Sequence, residues 1–248
     1  MLPRHAVVWS ALILAGMAST SFAEDAPKVA PKRNIDVAIC LDTSNSMDGL
    51  ISSAKARLWD IVNELAKAKP VPHLRVALYS YGNDSYNRET GWIRKELDLT
   101  TDLDMVSEKL FGLRTQGGTE YHTTVAKRAL EQLSWSEDPR ALKIIFVCGN
   151  ETLQQDRDNP LKSVSDAATG KHVLINTIYC GSAHDSVVTD WRNFAILSEG
   201  SFTSIDQSRG TVAIASPYDK ELAELSVKIN TTYVFYGKAG EARKSNQL

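Results

Sequence analysis

Asp42, Ser44 and Ser46 stand at alternate positions at the end of an apolar run, in the stretch IDVAICLDTSNSM that spans Ile35–Met47. One carboxylate and two hydroxyls, each separated by one residue on a turn, can converge on a small hard cation. Such cations take oxygen ligands, and magnesium keeps several waters beside a few protein oxygens. Ser and Asp are also ordinary helix caps, so these three residues alone leave a cation site and a polar cap both open. Two other stretches bring oxygen: the glycine loop TQGGTEYH with Thr119, and the turn Cys148-Gly149-Asn150-Glu151. Several catalytic patterns are missing. The chain has no GxxxxGK[ST] phosphate cradle, no GxSxG elbow and no HExxH zinc motif. Ser44 stands where a phosphatase attacking through Asp42 would want a second carboxylate as acid and base. With no nucleophile beside a partner base, the chain is expected not to be an enzyme.

Loops of this kind need a scaffold that brings them to one edge. The run Val37–Leu41 suits a strand buried on both faces, as in parallel sheets, and open α/β sheets hold ligands at the carboxyl ends of such strands. A helix follows over about Leu50–Lys69, with Ile51, Ala54, Leu58, Ile61, Val62 and Leu65 on one stripe, and Pro70 and Pro72 stop it. Leu74–Gly82 reads as a second strand, and Trp92–Leu99 as a half-exposed edge strand antiparallel to it. Thr100-Thr101-Asp102 caps a helix running to about Leu113, and a further helix is expected over about Glu120–Trp135. The remaining strands are Leu142–Cys148, His172–Cys180 and Ser201–Asp206. Helices are expected at Pro160–Gly170, Ser186–Glu199 and Pro217 to about Thr232. Strands alternating with helices imply a doubly wound, mostly parallel α/β sheet with one antiparallel edge strand and helices on both faces.

Composition sets the remaining bounds. Of 248 residues, 43% are apolar and 23% charged, as in an ordinary globular protein, and the net charge of −2 argues against a nucleic-acid surface. The first 23 residues carry positive charge, then an apolar stretch, then Ser21-Phe22-Ala23, the layout of a secretory signal peptide; an uncleaved anchor or amphipathic helix is the other reading. Residues 24–33 form a Pro/Lys linker, one domain fills 34–237, and a polar tail covers 238–248 with no helix stop, which leaves room for chain beyond Leu248. The mature chain is expected to be exported, periplasmic or secreted, without a transmembrane span. Export permits disulfides, but Cys40, Cys148 and Cys180 fall in or at the ends of buried strands, and their pairing is not legible.

Asp42-x-Ser44-x-Ser46, the Gly-Gly-Thr119 loop and the turn after the fourth strand, in this order and spacing, resemble a von Willebrand factor A-type domain. The likeness covers about residues 34–237. GLISSAKARLWDIVNELAKAK and FAILSEGSFTSIDQ resemble an exported bacterial branch of that family. The resemblance implies a Rossmann-like fold and a metal-ion-dependent adhesion site for Mg2+, or Mn2+ or Ca2+. Ser44 and Ser46 would be direct ligands, Asp42 the charged orienting group and Thr119 the loop ligand, and a protein partner would present a carboxylate. No small-molecule substrate is implied. The family aspartate of the fourth-strand turn is missing. Either Asn150 or Gly149 takes its place, with Glu151 as a substitute if its side chain folds inward, and the lost charge is expected to weaken the cation. The competing reading is a metal-independent structural or assembly module of the same fold. Asp84 and Asp102 read as loop and cap residues and Trp59 as packing at a stripe edge; Tyr79, Tyr81 and Tyr86 are candidates to line a binding surface near the metal, with core packing an equal reading for Tyr79 and Tyr81. Asn83 and Asn230 begin glycosylation-type triplets.

Overall fold

Val37, Ile39 and Leu41 face one side of their strand and Ala38 and Cys40 the other, and all five are fully buried. Such a strand belongs in the middle of a sheet covered on both faces. The computed structural model describes residues 33–205. The leader, most of the linker, the helix expected from Pro217, the polar tail and Asn230 lie outside the described residues. Six strands form one sheet: β1 (Asn34–Asp42), β2 (His73–Tyr81), β3 (Ile93–Thr100), β4 (Leu142–Gly149), β5 (Leu174–Tyr179) and β6 (Phe202–Ser204). Their order is β3-β2-β1-β4-β5-β6, all parallel except β3, which runs antiparallel along β2. This is the doubly wound sheet with one antiparallel edge strand that the alternation of elements predicts.

Helices α1 (Ile51–Ala66) and α2 (Leu103–Gly112) cover one face, packing Ala54, Leu58, Val106 and Leu110 against Val37, Ile39 and Leu41. Helices α3 (His122–Gln132), α4 (Leu161–Gly170) and α5 (Val188–Leu197) cover the other, with Ala129, Val164 and Trp191 against Ala38 and Cys40. Parallel register aligns Asp42 with Tyr81, and Leu41 with Cys148, so the loops after β1, β2 and β4 open on one edge. At the opposite end the buried Asp36 carboxylate accepts from Arg75 Nε at 2.8 Å and Nη2 at 2.7 Å, and from the Ser136 amide at 2.7 Å. Arg75 Nη2 also donates to the Ser134 carbonyl at 3.1 Å, so one side-chain pair fixes two strands and a loop.

Several ends differ from the sequence-based expectation. Helix α3 starts at His122 rather than Glu120, because Tyr121 is not helical and makes no cap. The cap comes from Asp156, whose Oδ2 accepts from the Thr124 amide at 2.6 Å. The same helix stops at Gln132, and Trp135 folds back to donate its indole N–H to the Ala129 carbonyl at 3.0 Å. Strand β5 starts at Leu174 because His172, at φ 53°, is in the left-handed region that ends α4. Among the described residues no helix is long and apolar enough to cross a membrane.

Candidate functional site

At the end of β1 the Thr43 amide and hydroxyl both donate to the Tyr81 carbonyl, at 2.8 and 2.9 Å, which turns the chain out of the sheet. Asp42 is left fully buried beneath that turn. Its Oδ1 accepts from the Ser44 amide at 2.8 Å, while Oδ2 has no hydrogen-bond partner. Burial pushes the Asp42 carboxyl up to about 7; the Ser44 amide and side chain hold it down in part, and the charges of Glu120 and Glu151 push it further up. A short 3-10 turn, Asn45–Met47, follows, anchored by the buried Met47, and it lifts Ser46 into solvent above the buried Ser44. The two hydroxyls lie 2.9 Å apart.

The turn after β4 meets Ser46 through Asn150. Ser46 Oγ donates to Asn150 Oδ1 at 2.9 Å, and Asn150 Nδ2 donates to the Ser46 carbonyl at 3.0 Å. Gly149 cannot take that place. A Cβ there would lie 2.6 Å from Tyr81 Oη and 3.0 Å from Asp42 Oδ2, inside atomic contact. Of the two positions the sequence left open, Asn150 is the one that hydrogen-bonds Ser46. Glu151 is half-buried, and its carbonyl accepts from the Trp191 indole N–H at 2.9 Å; its charge is felt at both Asp42 and Glu120.

The glycine loop is stitched to the residues after β1. The Gln116 amide donates to the Thr43 carbonyl at 2.9 Å, the Asn45 amide to the Gly117 carbonyl at 2.6 Å, and the Gly117 amide to Asn45 Oδ1 at 3.1 Å. Thr115 also hydrogen-bonds Asp48. Gly117 has φ +79°, and the Asp84 side chain fills the space a Cβ would need. Asp84, read from sequence as a solvated loop residue, is exposed and also packs on this loop. Thr119 is half-buried and has no hydrogen bond to Ser44, Ser46 or Asn150 among the described residues.

The loop residue that the sequence reading passed over is Glu120. It is only 3% exposed. A Cβ on Gly82 would meet Asp42 Oδ1 at 2.8 Å, Glu120 Cγ at 3.1 Å and Ser44 Cβ at 3.4 Å, so all three side chains crowd one small space left by that glycine. Burial raises the Glu120 carboxyl and the Glu151 charge adds to it, while Gln155 and the Ser44 side chain hold it down. Its place directly after the Gly-Gly-Thr loop was the available signal; assigning it to the start of a helix hid it. Behind the site, the ring of the buried His122 packs edge-on between Tyr81 and Trp191, with centroids 5.2 and 5.1 Å away. Neither of its nitrogens meets full hydrogen-bond geometry, and burial pushes its pKa down to about 3 against a weaker opposing contact with the Glu120 backbone.

The remaining residues singled out by sequence are placed as follows. Tyr79 and Tyr81 are core, and Tyr81 Oη donates to the Cys148 carbonyl at 2.9 Å. Tyr86 is half-buried under the Arg94 guanidinium, 4.3 Å from its ring centre. Asp102 caps α2 by accepting from the Met105 amide at 3.0 Å, and Trp59 packs edge-on against Phe111. Cys148 and Cys180 are free thiols with sulfurs 3.5 Å apart, and Cys40 is separate from them.

Among the described residues no group of three or more His, Cys, Asp and Glu is arranged to hold a metal unaided. The edge carries instead an oxygen set of mixed kind: hydroxyls of Ser44 and Ser46, the Asn150 carboxamide and the buried carboxylate of Asp42. That chemistry fits a hard divalent cation, and the orphaned Asp42 Oδ2 is the kind of buried polar atom that calls for a positive neighbour.

A sequence model of the von Willebrand factor type A domain matches residues 36–191. No curated protein matches the chain. Among solved structures, proximal thread matrix protein 1 from the mussel byssus, with a zinc-occupied MIDAS motif, superposes with a TM-score of 0.57 at 15% identity, over 79% of this chain and 46% of that one. An aerotolerance-related membrane protein from Bacteroides fragilis gives 0.53 at 14% identity, over 80% of this chain and 100% of that one. The pilus adhesin SpaC from Lactobacillus rhamnosus GG gives 0.54 at 11% identity, over 82% and 30%. This chain thus spans under half the length of the mussel protein, and at these identities the likeness is one of fold.

Proposed function

The chain belongs to the von Willebrand factor type A domain family, and on that premise we propose that it is an exported, non-enzymatic binding module working through a metal-ion-dependent adhesion site. Ser44, Ser46 and Thr119 would hold a divalent cation, magnesium first, with Asp42 as the charge beneath and Asn150 as the neutral oxygen of the fourth-strand turn. The cation would supply an open coordination position and positive charge for a carboxylate on a protein partner. The chain's own residues do the positioning. Asp42 Oδ1 fixes the Ser44 amide, the Ser44–Ser46–Asn150 chain of hydrogen bonds aligns the oxygens, and the stitched glycine loop brings Thr119 to the same edge. The relatives in pili, and the mussel protein with zinc in its motif, support an adhesive reading by analogy. The leader over residues 1–23 supports export, and the domain would run from 34 to about 237.

The observation that carries this proposal is the buried Asp42 carboxylate with one oxygen unpartnered, two residues before a pair of hydroxyls that lie 2.9 Å apart. Calorimetric titration of magnesium and manganese into the wild type, S46A and D42N tests it. Saturable heats in the wild type that weaken at least about tenfold in both variants are expected from the loss of one oxygen or one charge. Equal heats in all three would sink the cation.

One observation favours the second reading, a metal-independent assembly module. The paired hydrogen bonds between Asn150 and Ser46 tie the two turns to each other directly. Partner capture that survives EDTA would decide for it; the adhesion-site reading expects capture to be abolished.

A further inference from the structure

A dication held by Asp42, two serines, a threonine and an asparagine would have one negative charge against its two positive ones, with that one carboxylate fully buried. Uncompensated charge in such surroundings is costly. The fold, however, places a second carboxylate in the same space. Glu120 is 3% exposed, and its Cγ shares with Asp42 Oδ1 and Ser44 Cβ the small volume beside Gly82. A Cβ on Gly118 would lie 3.2 Å from Glu120 Oε1, so that glycine leaves room for the carboxylate as well. Among the described residues no lysine or arginine forms an ion pair with Asp42 or Glu120; the ion pairs present use Asp36, Glu96, Asp98, Asp138 and Asp166. Two carboxylates that border one small buried space with no basic partner are costly to ionise together. A cation between them removes that penalty. Asp42 Oδ2, on the Gly149 side of the same carboxylate, is buried without a hydrogen-bond partner.

We propose that Glu120 supplies the second negative charge of the cation site, from the glycine-loop side, in place of the charge that Asn150 lacks. The inference rests on the cation reading above and adds a residue to it.

The test is magnesium titration of the whole chain as wild type, E120Q, N150D and the double variant E120Q/N150D, with melting of each in EDTA. The amide should weaken magnesium binding at least about tenfold. Adding N150D should bring the double variant back to within about threefold of wild type, because the charge has moved rather than vanished. Without metal, E120Q should melt at or above the wild type, since a repulsion has been removed. Wild-type binding with equal binding by E120Q overturns the role of Glu120 alone. So does a double variant as weak as E120Q, or a metal-free E120Q that melts well below wild type, which would show structural partners holding the carboxylate. A wild type that takes up neither magnesium nor manganese overturns the cation reading and this inference with it.

Discussion

A methyl group at position 149 has nowhere to go, and that fixes how the fourth-strand turn is used. An aspartate introduced at Gly149 would drive its Cβ into Tyr81 Oη and Asp42 Oδ2 and bring a second charge onto a carboxylate oxygen already lacking a partner. G149D is therefore expected to lower unfolding free energy by about 2 kcal/mol or more, read from chemical denaturation. The neighbouring N150D keeps its space but replaces the Nδ2 donation to the Ser46 carbonyl with a charged acceptor, a cost of about 1–2 kcal/mol in EDTA that magnesium should more than restore. A N150D that is as damaged as G149D would contradict this division of the turn. At this scale the spacing of Asp42, Ser44 and Ser46 was legible because alternate residues on a turn lie on one side of it. Glu120 was not, because a carboxylate just ahead of an apolar stripe looks like a helix-start residue until the chain is seen to stay extended through Tyr121.

Strand β1 is held in register at both ends by side chains, and the two ends do different work. At its start, Asp36 is sealed by Arg75 and the Ser136 amide; at its finish, Asp42 is sealed on one oxygen only. Removing the guanidinium while keeping the stem, as in R75M, strands a buried carboxylate with a single amide donor. The expected loss is about 2–3 kcal/mol, read as a lower urea midpoint with little change in slope. Because the cation-binding edge lies at the other end of the strand, R75M should leave magnesium affinity within about twofold of wild type. The strand pattern and the antiparallel edge pair were readable from apolar runs and polar loops, since a strand buried on both faces has no other composition available. Helix ends were less readable because their caps come from afar. Asp156 closes the start of α3 from a separate turn, and no local pattern around Tyr121 announces it.

Both cores of the molecule share β1: Val37, Ile39 and Leu41 build one, Ala38 and Cys40 the other, so neither layer can be loosened without exposing that strand. The strand order, which the sequence left open, sets β1 between β2 and β4 and so brings the oxygen-bearing loops to one edge. All three cysteines sit inside this arrangement, with Cys40 and Cys148 fully buried and Cys180 only 2% exposed. Burial raises the Cys40 thiol well above its usual range, and burial together with the neighbouring Cys180 does the same for Cys148, so little reactive thiolate forms. Iodoacetamide added to the native protein should therefore leave all three unmodified over hours, while the urea-unfolded chain takes up three labels, counted by mass spectrometry. Rapid native labelling of Cys40 would contradict the closed core. The sulfurs thus become internal reporters: the pace at which native thiols are alkylated follows how often the sheet opens through its middle, and saturating magnesium should slow that pace if the cation clamps the carboxyl edge.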